Sequence, residues 1–244
     1  MKVVFLGATK GMGRALARAM AAKGAEIVLL GRDLEDLQRS AADIEAHGAR
    51  RVAVAPCDLL EPAGFAAAFT AAQEALGHFD TVVVTAGMFG TQEELEADPE
   101  RTRLLLTANM TNTILFCEQA RRRLLAAGGG TLCVFSSVAG DRARKPVILY
   151  GASKAGLSYY LNGLDHRYRS EGLRTVLVKP GFVKTAMTAG LKPPPFAGEP
   201  DAVAQTVLRA IERGTPVVYA PPIWALIMLV IRLLPRFVMR RIGF

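Results

Sequence analysis

Val3-Val4-Phe5-Leu6-Gly7-Ala8-Thr9-Lys10-Gly11-Met12-Gly13 is the stretch that decides the fold of this chain. Its first four residues form a short apolar run of the kind buried on both faces in a parallel sheet. The run ends directly in glycines at positions 7, 11 and 13, and a helical stretch follows from Arg14 to Lys23. Strand, glycine-rich turn and helix in that order present free backbone N–H groups and a positive helix end to a phosphate, and the glycines let the backbone come close to it. An ordinary tight turn needs fewer glycines. The spacing is G-x-x-x-G-x-G, a variant of the G-x-G-x-x-G fingerprint.

Outward from this unit the chain keeps alternating. Strands are expected at 2–6, 26–30, 51–55, 81–85, 131–135, 174–178 and 216–219, with helices near 12–23, 33–46, 62–76, 100–127, 150–170 and 200–213. Such alternation implies right-handed βαβ crossovers and an α/β architecture, a single doubly wound parallel sheet with helices on both faces. Ligands on such a sheet bind beyond the carboxyl ends of the strands. The glycine turn, Gly87, Ser137 and Pro180 all fall at that edge. With 244 residues, 51% of them hydrophobic, the chain can bury a sizeable core. No linker-like run or internal repeat divides it; the expected units are a dinucleotide-type domain over 1–220 and an apolar, basic tail over 221–244. Cys57, Cys117 and Cys133 form no pair motif and are expected as core residues in a reducing compartment. The first strand starts at Lys2, so no signal peptide is expected and the cytoplasm is the expected location.

Tyr150-Gly-Ala-Ser-Lys154 sets a phenol and an ammonium on one helix face. A tyrosine hydroxyl ionises near pH ~10, and a neighbouring cation lowers that value by favouring the phenolate. Together with the glycine turn, this pair resembles the short-chain dehydrogenases/reductases, and the resemblance runs along nearly the whole chain. Gly7, Gly11 and Gly13 match the cofactor glycines of that family, with Thr9, Lys10 and Met12 between them. Thr85-Ala86-Gly87 stands where the family usually carries Asn-Ala-Gly; this departure touches a sheet-bracing hydrogen bond and leaves the chemistry intact. Asn109 lies at the place of the catalytic asparagine, and Ser137 stands 13 residues before Tyr150, where the catalytic serine belongs. Pro180-Gly181, Val183 and Thr185 match the segment facing the nicotinamide, and Asp58 matches an adenine contact.

The resemblance implies a Rossmann-type fold and hydride transfer between a nicotinamide cofactor and a carbonyl. Tyr150 would protonate the oxygen, Ser137 hold it, Lys154 bind the nicotinamide ribose and keep the tyrosine acidic, and Asn109 position a water that restores the proton. Charge bears on which cofactor enters. The second strand closes Leu29-Leu30-Gly31-Arg32-Asp33, with glycine at the usual acidic position and arginine after it. Arg32 suits a 2′-phosphate, which it can grip with two hydrogen bonds, and Lys10 is a second cation on that side. NADPH is therefore the expected cofactor; NADH is the alternative, with Asp33 as the ribose acid after a one-residue shift. His47, His78 and His166 lie in or after helices, away from the strand ends, and no clustered pattern points to a metal.

The tail carries the other functional signal. Ile223 to Ile231 is continuous hydrocarbon, and Arg232, Arg236 and Arg240 then recur every four residues. A membrane span needs about 20 apolar residues. Arginines at that spacing are expected to make one basic stripe on a helix lying in a bilayer interface. Residues 221–244 hold four Arg and no acid, which supplies half of the net charge of +8 and points to anionic lipid, with no motif for nucleic acid. Packing of the tail on the sheet edge or on a second copy is the other reading.

The runs Ser136–Lys145, Tyr150–Leu157 and Pro180–Met187, together with Tyr219-Ala-Pro-Pro222 and the tail, look like the keto-reductase subunits of the decaprenylphosphoryl-ribose 2′-epimerases. That likeness implies a polyprenyl-phosphate-linked 2-keto pentose as substrate, cell-wall biogenesis as the setting and a flavin-dependent sugar oxidase as partner, at the inner face of the membrane. Another lipid ketone, such as a 3-keto-sphingoid base or a 3-oxoacyl chain, fits the same tail. A catalytically idle dinucleotide-binding scaffold fits poorly with an intact Asn109, Ser137, Tyr150 and Lys154. Homo-oligomers through the long helices are usual in the family. Lys184, and Lys192 in the loop 186–200, are either phosphate contacts or solvated loop charges.

Overall fold

A computed structural model describes residues 1–242. β1 (Lys2–Leu6), β2 (Glu26–Gly31), β3 (Arg51–Pro56), β4 (Thr81–Val84), β5 (Gly130–Phe135), β6 (Leu173–Pro180) and β7 (Val217–Ala220) form one sheet in the order β3-β2-β1-β4-β5-β6-β7. Every pairing is parallel. The order reverses between β1 and β4, which puts the switch point at the glycine turn.

The strands read as continuous hydrocarbon because both faces are covered. Val4 and Leu6 of β1 enter one core layer with Phe65, Phe69 and Phe116, under α3 (Phe65–Leu76), α6 (Thr113–Ala126) and α7 (Ile148–Tyr168). Val3 and Phe5 enter the other with Leu16, Leu37 and Val207, under α1 (Gly11–Ala21), α2 (Leu34–Ala46) and α8 (Pro200–Arg213). All three cysteines are buried and free.

Two expectations of the sequence reading are corrected. The helix expected over 100–127 is α5 (Pro99–Leu106), a π-helical turn over Thr107–Asn112, and α6, with a short α4 (Gln92–Ala97) before it that was not expected. Asp98 and Pro99 start α5 afresh: the Asp98 carboxylate caps Arg101 N–H, and proline suits the first helical position. The tail is two helices, α9 (Ile223–Leu233) and α10 (Arg236–Arg241), so Arg232 and Arg236 do not share one helical stripe. Pro235 offers no N–H, and Leu234 before it is extended. Among the described residues no helix is long and apolar enough to cross a membrane.

Candidate active site

The glycine turn is built by close approach. Gly7 has φ +99°, and a Cβ there would stand 2.5 Å from Ala86 N, while one on Gly13 would strike the Gly7 carbonyl. Thr85 donates from Oγ1 to Gly7 O at 2.8 Å, so the threonine itself braces β1 against β4 where an asparagine was expected to matter. Ala86 N–H reaches Leu6 O at 3.3 Å. The turn feeds α1, whose first N–H groups have no side-chain cap at Lys10. Free donors at a helix start, with no Cβ in the way, are what a pyrophosphate requires. Met12 leans on the core layer under α1, and Thr9 turns its carbonyl to Arg14 Nε at 2.8 Å.

At the end of β2, Arg32 is exposed. Asp33 is engaged in capping α2, accepting Asp36 N–H at 3.0 Å, which holds its carboxyl below the usual range. Lys10 lies 3.6 Å from Asp36 and is largely solvated. At the end of β3, Asp58 accepts Leu60 N–H at 2.9 Å. Gly87 leaves β4 between two polar groups: a Cβ there would be 3.0 Å from Asn109 Oδ1 and 3.5 Å from Lys154 Nζ.

Asn109 sits in the π-helical turn and is fully buried. Its Oδ1 accepts Met88 N–H at 2.7 Å and its Nδ2 donates to Met88 O at 2.8 Å. Both ends of the amide are thus spent on the backbone that follows Gly87, which makes it a clamp on this segment.

Ser137 ends the approach from β5; its Oγ accepts Ala139 N–H at 3.1 Å, and the serine lies beside the Tyr150 hydroxyl. Tyr150 and Lys154 lie on the first turns of α7, as their spacing requires. Burial pushes the phenol up to about 12, with the Ser137 hydroxyl pulling the other way. The same burial pulls the ammonium down to about 8. Lys154 was expected to keep the tyrosine acidic; instead its Nζ donates to Phe135 O at 3.2 Å and stands 5.8 Å from the Tyr150 ring centroid. Desolvation therefore outweighs charge, and the phenol is held protonated. Ser136 ties the Lys154 carbonyl to β5 through a 2.9 Å hydrogen bond.

Pro180 closes β6, and Gly181 N–H bonds Ala220 O at 3.0 Å. Val183 is almost fully buried in the layer under α8, so only its backbone faces outward chemistry. Thr185 Cγ2 stands 3.3 Å from where a Gly11 Cβ would lie, which brings the sixth-strand loop against the glycine turn. Lys184 pairs with Glu199.

Three residues of the site carry no sequence motif. Phe89 packs edge-on to Tyr150 with centroids 5.1 Å apart. Gln92 Oε1 accepts Ile148 N–H at 2.8 Å and Leu149 N–H at 3.2 Å, capping the helix that carries Tyr150. Trp224 of α9 fills the space over Gly181, where no Cβ would fit, and joins Met228, Ile231 and Phe182 in a small core on Val138. These contacts join segments far apart in the chain, and no local pattern announces them.

Fold and site define an NAD(P)-dependent oxidoreductase of the Rossmann type. The family model for short chain dehydrogenase matches residues 1–195, and the chain belongs to the short-chain dehydrogenase/reductase family. It is 35% identical to an uncharacterized oxidoreductase of Mycobacterium tuberculosis, over 98% of this chain and 96% of that protein. It is 30% identical to carbonyl reductase family member 4 of Xenopus tropicalis, over 84% and 89% respectively. A short-chain type dehydrogenase/reductase from Mycobacterium ulcerans shares the fold, with a TM-score of 0.81 at 22% identity over 89% of this chain and 86% of that one.

Proposed function

We propose that this chain is an NADPH-dependent ketone reductase working at a membrane surface on a lipid-linked substrate. The cofactor supplies the hydride. Tyr150, held protonated by its burial, gives the proton to the carbonyl oxygen. Ser137 donates a hydrogen bond to the same oxygen and fixes the phenol's direction. Lys154 holds the ribose and passes protons toward the phenol, while Asn109 keeps the Gly87–Met88 backbone in place beside it. Exposed Arg32 and Lys10 receive the 2′-phosphate, a reading favoured by the engagement of Asp33 in its own helix cap.

The observation that carries the substrate class is the outer face of α9 and α10. Ile223, Leu226, Val230, Leu233 and Phe237 are all exposed, Leu233 at 76% and Phe237 at 63%. The inner face of the same helices packs on Val138 and Phe182, neighbours of Ser137 and Gly181. Apolar surface outside, arginines beside it and the catalytic loops beneath are the arrangement of an interfacial helix at the mouth of a site. A polyprenyl-phosphate-linked 2-keto pentose is the particular substrate, supported by the sequence likeness of the loops and tail, with a flavin-dependent sugar oxidase supplying it; another lipid ketone is the competing assignment. The protein would then act as a peripheral protein on the cytoplasmic face of the membrane.

The test replaces Leu226, Val230, Leu233 and Phe237 with Ser, which leaves the packed face intact. The variant should reduce a short water-soluble ketone within about twofold of the parent, yet lose co-sedimentation with anionic vesicles and most activity on a vesicle-borne keto-lipid. Unchanged vesicle binding would remove the membrane assignment.

A further inference from the structure

Beside the catalytic loop lies a cavity of about 710 Å³ that no step above uses. It opens between the loop after β5, the first turns of α7 and α10, and neither Tyr150, Lys154 nor the glycine turn lines it. Its volume falls within the range of small-molecule sites. Arg142, Arg144, Lys145, Arg236 and Arg240 line its walls, and the small residues Gly151 and Ala155 leave its floor open.

The charge in this cavity is unbalanced. The acid on its wall, Asp141, is taken by Lys179 and by the Tyr219 hydroxyl at 2.7 Å. Among the described residues none of the five cations makes a salt bridge. Arg144 has its Nε shut away from solvent without an acceptor, and burial lowers its pKa, so that nitrogen has lost water and gained no partner. The cations are nevertheless held together: Arg142 donates to Leu234 O at 2.8 Å, which ties the loop to the α9–α10 junction. Five like charges kept around one hollow repel each other unless an anion enters. Four of them are guanidinium groups, whose planar forks match phosphate oxygens.

We propose that this cavity is a phosphate-binding site, taking a phosphate monoester or diester that is either free in solution or the headgroup of a lipid whose chain lies along the exposed face of α9 and α10. The site stands on its own charge and geometry and does not require the ketone assignment. It joins the loop after Ser137 to the C-terminal helices, so an occupied site would also hold the catalytic loop against the tail.

The experiment uses the full chain saturated with NADPH, so that cofactor phosphates do not compete for the signal. Titration calorimetry with inorganic phosphate and pyrophosphate is one arm; co-sedimentation with phosphatidic acid against phosphatidylcholine vesicles is the other. Three proteins are compared with the parent: Arg144→Gln, the double variant Arg236→Ala/Arg240→Ala on exposed positions of α10, and the double variant Arg50→Ala/Arg51→Ala, which removes the same charge elsewhere. A tenfold or greater loss of phosphate affinity in the cavity variants, with the remote variant unchanged, identifies a site for free phosphate. Loss of phosphatidic acid retention alone, again confined to the cavity variants, identifies a headgroup site. Should Arg144→Gln fail to fold, the exposed double variant decides. Absence of binding in both arms, or equal losses in the cavity and remote variants, overturns the proposal, and reduction of a soluble ketone measured in parallel shows whether the catalytic assignment stands regardless.

Discussion

In the proposed reaction Tyr150 concentrates the chemistry in one hydroxyl. Tyr150→Phe keeps the ring, its edge-on packing with Phe89 and the helix, and loses the proton. Turnover should fall by several orders of magnitude while NADPH affinity measured by fluorescence stays within about threefold. Arg32 is tested by the difference between two cofactors. Arg32→Ala should cost NADPH about 1.5–3 kcal/mol of binding and NADH almost none, read by titrating both. Lys154 makes a prediction about stability. Its folded pKa, about 8, lies below the usual 10.5, so between those values the unfolded chain holds more protons and stability rises with pH. Below pH 8 the full cost of burying the ammonium applies, on the order of 3 kcal/mol, against which its hydrogen bond to Phe135 offsets about 1. Lys154→Met should therefore be inactive yet unfold at higher urea than the parent at pH 7 without added cofactor, and the gap should close by pH 10. A parent that loses stability on going from pH 7 to 9.5 would contradict this. The placement of the glycines at a strand end, and of Tyr150 and Lys154 on one helix, was legible from spacing, while Ser137 was singled out only through the family resemblance. The direction of the tyrosine's shift was not legible, since it depends on how deeply the pair is buried.

At the scale of elements, α7 depends on a residue that no motif marks. Gln92 supplies the acceptor for two N–H groups at the start of that helix and is nearly fully buried. Gln92→Leu should destabilise the protein by about 1–3 kcal/mol and lower turnover more than it raises KM, since the loosened turn is the one bearing Tyr150. Denaturant midpoints and steady-state kinetics check both halves. The alternation of strands and helices could be read from the sequence because each strand is a hydrocarbon run between glycines or polar turns. The π-helical turn within 100–127 could not: it carries Asn109, which bonds a strand exit 21 residues earlier, an interaction without local periodicity. Pro235 carried a visible signal for the break in the tail, since proline cannot continue an interior helix, and the arginine spacing obscured it.

At the scale of the molecule, the tail belongs partly to the core. Sequence composition marks 221–244 as separable, whereas Trp224, Met228 and Ile231 are buried against Val138, beside Ser137. Trp224→Ala should cost about 3–5 kcal/mol through the cavity it leaves, and truncation after Ala220 should cost at least as much. Thermal unfolding of both, followed with and without NADPH, gives the measurement; a truncated protein as stable as the parent would return the tail to the status of an appendage.

The contact of Trp224 with Gly181 also has a meaning in time. Synthesis runs from the N-terminal to the C-terminal side, so the seven strands are all made before the helix that covers Gly181 and Val138 has left the ribosome. The nascent chain can pair its sheet and form its glycine turn as a unit during translation. The wall of the cleft next to Ser137 is finished only when α9, which follows every strand, has emerged. Completion of this wall therefore follows completion of the sheet, and a chain cut before α9 would carry Ser137 and Tyr150 in a cleft that is missing a side.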